Sequence, residues 1–173
     1  MAHFISAALL KGDFDTKIAA TFDLQAVPLG FDITLFWLDI RYTEYWGDKL
    51  CILGTLKTPL RVNKSELLFP DDRVIVHLMS HITGTTSPLY AIIATEYFGG
   101  IGEQAAALYR GETLITDDEQ ASDYGSINQV LRGLGVDSQE NMDEFDTLGL
   151  SNYRRIPSNF LDIVENYPDK NID

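Results

Sequence analysis

The period of the apolar positions changes about two thirds of the way along the chain. Before residue 111, most apolar runs fit a period of two. ITLFWLDIRY (33–42) is dense in β-branched and aromatic residues and predicts a strand. Its alternation puts Phe36, Leu38, Ile40 and Tyr42 on one face, with Trp37, Asp39 and Arg41 on the other. CILGTLKTPLRV (51–62) predicts a second strand, which Pro59 pushes to a sheet edge or a bulge. RVIVHLMSHI (73–82) follows Pro-Asp-Asp and alternates Val74, Val76 and Leu78 inward with His77, Met79 and His81 outward. YAIIATEYF (90–98) and EQAAALYR (103–110) predict two paired arms. FISAALL (4–10) and KIAATFDL (17–24), joined across GDFD, predict a further hairpin.

After residue 111 the pattern turns helical. Ser126 caps a predicted helix through INQVLRGL, with Ile127, Val130, Leu131 and Leu134 on one face and Gly135 as its stop. MDEFDTLGL (142–150) spaces Phe145 and Leu148 at i, i+3, and its acids fall where a helix dipole favours them. PSNFLDIVENY (157–167) enters through Pro157 and Ser158, then presents Phe160, Ile163, Val164 and Tyr167. Strands first and helices last predict an α+β fold: an antiparallel β-sheet from the amino-terminal two thirds, with carboxyl-terminal helices packed on one face. The 173 residues contain no long linker and no internal repeat, so residues 1–173 are expected to form a single domain.

The most patterned stretch is TEYFGGIGEQAAALYRG (95–111). A turn at Gly100 and Ile101 pairs Phe98 with Glu103, Tyr97 with Gln104 and Glu96 with Ala105. Glycines 99, 100 and 102 then supply the positive φ values of a tight turn. A phosphate loop fits poorly: no Gly-Lys-Ser/Thr opens a helix, and no basic residue appears before Arg110. In this register Glu96, Phe98 and Glu103 share a face, and the two glutamates are diagonal neighbours with Cβ atoms about 7 Å apart. Two carboxylates so placed suit the acid and base of a glycosidase. They equally suit binding, in which carboxylates pair with Lys or Arg while Phe98 stacks on a guanidinium.

Composition narrows the choice. The chain is 45% apolar, which suits a packed globular protein, and it has no apolar run of membrane-spanning length. One cysteine permits no internal disulfide and favours a reducing cytoplasm. The net charge of −13 is unevenly placed: residues 1–110 carry −3, and residues 111–173 carry −10. Such a field repels nucleic acid and anionic membrane and draws in basic partners. The acids Asp117, Asp118 and Glu119 open a run, DDEQASD, that is expected to be a solvated loop available to such a partner.

The remaining chemistry is sparse. His77 and His81 lie on one strand face, or four apart on a helix, but HLMSH lacks the glutamate of a zinc-protease helix and His3 is remote. No metal site or cofactor is expected. Cys51 sits in an apolar run and reads as an inert core thiol. No Gly-x-Ser-x-Gly elbow marks a serine hydrolase, and Trp37 and Trp46 read as packing residues.

The succession TEYFGGIGEQAAALYRG, SINQVLRGLGV and DEFDTLGL resembles small bacterial immunity proteins of toxin–immunity systems, of the contact-dependent or polymorphic type. The resemblance covers roughly the carboxyl-terminal half. It implies a cytoplasmic inhibitor, without catalysis of its own, that binds a cognate toxin domain. Nuclease toxins are basic, and an acidic inhibitor suits the same surface. The expected partner surface is Glu96, Tyr97, Phe98 and Glu103 with Asp117, Asp118 and Glu119. The alternatives are a small hydrolase using Glu96 and Glu103, or a structural or regulatory module that self-associates through a sheet edge.

Overall fold

A computed structural model describes residues 3–52, 72–98, 101–116, 126–153 and 155–168. Its centre is a six-stranded antiparallel sheet in the order β2-β3-β1-β4-β5-β6. The strands are β1 (His3–Lys11), β2 (Ala26–Pro28), β3 (Ile33–Trp37), β4 (Leu89–Phe98), β5 (Ile101–Arg110) and β6 (Thr113–Thr116). The helices are α1 (Thr16–Thr21), α2 (Ile40–Leu50), α3 (Asp72–Thr83), α4 (Ser126–Gly133), α5 (Glu144–Thr147) and α6 (Ser158–Glu165). The α+β class follows directly, and the central strands are apolar on both faces because both are covered. Ile5–Leu10 of β1, Tyr90–Thr95 of β4 and Ala105–Tyr109 of β5 are all buried.

The ladder fixes which elements cover which face. Tyr90 pairs with Tyr109 and their rings stack 5.3 Å apart, while the Tyr109 hydroxyl donates to Asp72 Oδ2 of α3 at 3.0 Å. The same face carries Phe36, whose ring meets Phe14 edge-on at 5.1 Å. The opposite face belongs to the carboxyl-terminal segment. Leu108 lies against Gly133 of α4, and Trp37 meets Tyr153 at 6.2 Å. Beside the sheet, α6 packs on α2: Phe160 sits 5.9 Å from Tyr42, and Tyr167 stacks on Tyr45 at 3.9 Å.

Three predicted strands are corrected. Residues 73–82 are the helix α3, because Val74, Leu78 and Ile82 recur at i, i+4 and i+8 and are buried together with Ile75 and Met79. The strand over 33–42 ends at Trp37, because the Asp39 carboxylate accepts the Arg41 N–H at 2.8 Å and starts α2. The amino-terminal hairpin is replaced by β1 and α1. Asp15 caps that helix, accepting from the Lys17 and Ile18 amides at 2.8 and 3.1 Å. The predicted strand over 51–62 falls mostly outside the described residues; Cys51 and Ile52 lie at the end of α2.

Of the carboxyl-terminal helices, α4 and α6 lie where predicted, while the helix predicted over 142–150 is the single turn α5, and Ser126 is the first residue of α4. Ile127, Val130, Leu131 and Leu134 are buried, and Gly135 follows at φ +87°. Asn128 of α4 holds the start of α5, donating to Asp143 Oδ2 and accepting the Phe145 N–H at 3.1 and 3.0 Å. Arg132 grips the buried Glu144 with two hydrogen bonds, 2.5 and 3.3 Å. That donation outweighs burial and holds the Glu144 carboxyl below its ordinary value of 4.5.

Glu144 therefore makes the stability of the fold depend on pH. The unfolded chain binds this proton more tightly, so the contribution is fully present above the ordinary value and is lost as pH falls through the depressed one. Glu144→Gln should therefore flatten the acid limb of the stability curve below about pH 4.5. Arg132 is 46% exposed, so solvent screens the pair, and Arg132→Met should cost about 1–3 kcal/mol at neutral pH. Urea titrations of both variants from pH 7 down to pH 3 check this. An unchanged acid limb in Glu144→Gln would show that the pair contributes nothing.

Candidate functional site

The opening hairpin exists, in a register two residues from the predicted one. Phe98 pairs with Ile101, Tyr97 with Gly102 and Glu96 with Glu103. This leaves Gly99 and Gly100, which lie outside the described residues, between the arms. Three glycines in four positions permit several turns, and packing beyond the tip decides among them. Tyr90 pairs with Tyr109 and their rings stack; the predicted register, offset by two, keeps both on the same face but parts the stack. The two glutamates are consequently directly opposed, not diagonal, with Cβ atoms about 5 Å apart.

A third residue joins the row from β1. Phe4 pairs with Glu96, so Phe4, Glu96 and Glu103 run across three strands on one face. Phe4 is 45% exposed, and both glutamates are exposed. The row directly behind is small and buried: Ser6, Ala94 and Ala105. Thr95, on the other face, is buried, and its hydroxyl accepts the Ile5 N–H at 3.1 Å. The row therefore projects from a rigid ladder at an end of the sheet. Phe4 has no sequence signal of its own, because nothing local reveals that β1 pairs with β4 across about 90 residues of chain.

The surface offers two carboxylates and an apolar ring on adjacent strands. Among the described residues Glu96 makes no ion pair. This chemistry fits a lysine or arginine side chain, whose charge meets the carboxylates while its stem or guanidinium lies on the ring. Asp117, Asp118 and Glu119 lie outside the described residues, so their relation to this row is not fixed.

The other candidates are placed as follows. His77 and His81 stand one turn apart on α3 with rings 5.8 Å apart, the helical alternative to the predicted strand. Partial burial, and secondarily His81, hold the His77 imidazole below its ordinary range. Among the described residues no group of three or more His, Cys, Asp or Glu gathers as a metal site. Cys51 is exposed, not core: it follows the last turn of α2 in a left-handed conformation, φ 55°, which turns it out of the helix's buried face. Trp37 and Trp46 are buried packing residues, Trp46 meeting Phe22 at 5.1 Å. No helix among the described residues is long and apolar enough to cross a membrane.

No family model matches the chain, and neither does any curated protein or solved structure.

Proposed function

We propose that this chain is a non-enzymatic cytoplasmic inhibitor that binds and neutralises a basic, nuclease-type toxin domain, in the manner of an immunity protein. The carrying observation is the row Phe4–Glu96–Glu103 on the open end of the sheet. Like charges directly opposed on neighbouring strands cost stability. A partner's arginine or lysine brought to Glu96 relieves that repulsion, so the arrangement favours the bound state. The net charge of −13 adds long-range attraction for such a partner and repels nucleic acid.

The hydrolase alternative is weaker. Division of labour between two carboxylates needs contrasting environments, and Glu96 and Glu103 are both exposed in one row. Self-association through a sheet edge is also disfavoured. The edge strands are three and four residues long, and β2 ends in Pro28, features that blunt edge pairing.

The direct test is neutralisation. The chain is co-expressed with a toxin domain encoded beside its gene, and survival is compared with the Glu96→Lys/Glu103→Lys double variant. The proposal expects protection by the native chain and at least a severalfold loss of survivors with the variant. Cell death in the presence of the native chain, or equal protection by a folded double variant, rejects it.

A further inference from the structure

A cleft of about 660 Å³ opens at the far end of β5 from the glutamate row. Arg110 follows Glu103 by seven positions on an extended strand, so the two sites are about 23 Å apart. One wall is the outer face of α3, where Arg73, His77 and Ser80 recur at i, i+4 and i+7. The facing wall is the β5–β6 corner with Arg110 and Glu112, and Ser87 closes one side.

The walls are braced by backbone. The Gly111 N–H donates to the Pro88 carbonyl at 2.8 Å, and the Tyr90 hydroxyl donates to the Gly111 carbonyl at 3.2 Å. These two hydrogen bonds tie the corner to Pro88 and to β4.

We propose that this cleft binds a small phosphorylated molecule that also carries hydroxyl groups, of the sugar-phosphate class. Two arginines on different elements, Arg73 and Arg110, line one space, and guanidinium groups are the side chains that bind phosphate oxygens best. Arg110 has no ion pair among the described residues and is exposed at the cleft. Its charge stands out in a chain of net charge −13. His77 and the serine hydroxyls add shorter-range donors. Glu112 accepts only, so it repels a bare anion and suits a ligand hydroxyl placed away from the phosphate. Among the described residues the lining contains no aromatic ring other than the imidazole of His77, which disfavours a nucleobase. The volume lies within the usual range for small-molecule sites, roughly 300–1,000 Å³.

The test is calorimetric titration of the full chain at fixed ionic strength with inorganic phosphate, glucose, glucose 6-phosphate and AMP as probes. Glucose 6-phosphate should bind about tenfold or more tightly than either inorganic phosphate or glucose. Arg110→Gln and Arg73→Gln should each weaken it by a similar factor, and thermal unfolding of Arg110→Gln should be unchanged because that side chain is exposed. Glu112→Gln should weaken glucose 6-phosphate and spare inorganic phosphate. No heat from phosphate or glucose 6-phosphate at millimolar concentration overturns the proposal, as does binding that both arginine variants retain. AMP binding as tightly as glucose 6-phosphate overturns the sugar-phosphate assignment. None of these outcomes bears on the glutamate row.

Discussion

Gly111→Ala is expected to remove about 3 kcal/mol or more of stability, a large share of the 5–15 kcal/mol that holds a typical domain. Two costs combine. The residue sits at φ +56°, where a side chain is strained, and an added Cβ would stand 2.5 Å from the Thr86 carbonyl oxygen and 3.3 Å from the Ser87 Cα. Those neighbours are backbone, so no rotamer change relieves the contact. Nor is the backbone free to move, because the hydrogen bonds to Pro88 and from Tyr90 hold both sides of the approach. Gly12→Ala is the control: φ is +93° there but nothing lies within 4 Å, so only the conformational cost of about 1–2 kcal/mol applies. Urea denaturation of both variants separates the terms. Equal losses would show that the close approach of the 84–88 loop to the β5–β6 corner is not a determinant of stability. The Gly111 variant should also open the cleft beside it, since Arg110 and Glu112 flank that residue.

Helices α4 and α6 were legible in the sequence because each carries a 3.6-residue apolar period, reinforced by the stop at Gly135 in α4 and the Pro157 entry in α6. In the amino-terminal two thirds the signals conflict. In VIVHLMSHI the positions 74, 76 and 78 satisfy a strand, while 74, 78 and 82 with 75 and 79 satisfy a helix. A helix buried over a broad face shows both periods. The decisive clues were single aspartates. Asp15 and Asp39 each cap a helix, yet one sits in a turn-like GDFD and the other within an apolar run. Both hairpin arms were legible, but their register was not. The tip glycines permit several turns, and the observed register is the one that stacks Tyr90 on Tyr109 at the other end of the ladder. Of the candidate surface, Glu96 and Glu103 were identifiable as a carboxylate pair near the turn. Phe4 was not, because its place in the row depends on β1 entering the sheet between β3 and β4.

Binding to a basic toxin domain should be steered by charge and held by contact, and the two are separable by rate. Residues 111–173 alone carry −10, so attraction extends well beyond the contact surface at low salt. Raising ionic strength to physiological values shortens the Debye length to about 8 Å and should slow association by about tenfold or more. Dissociation should change far less, because it is governed by desolvated contacts at the centre of the interface. Reversing Asp117, Asp118 and Glu119 together should slow association and weaken its salt dependence while leaving dissociation nearly unchanged. Phe4→Ala and Glu96→Lys should act in the opposite sense, raising the dissociation rate. A true anchor in the row costs about 2 kcal/mol or more, which is roughly thirtyfold in affinity. Tyr97→Ala/Phe98→Ala extends the test to the end of β4, where the backbone ladder runs on past the glutamates. Stopped-flow rates over a salt series check every arm. Salt-independent association would remove the steering claim, and dissociation unchanged by all substitutions on β1 and β4 would move the interface away from this end of the sheet.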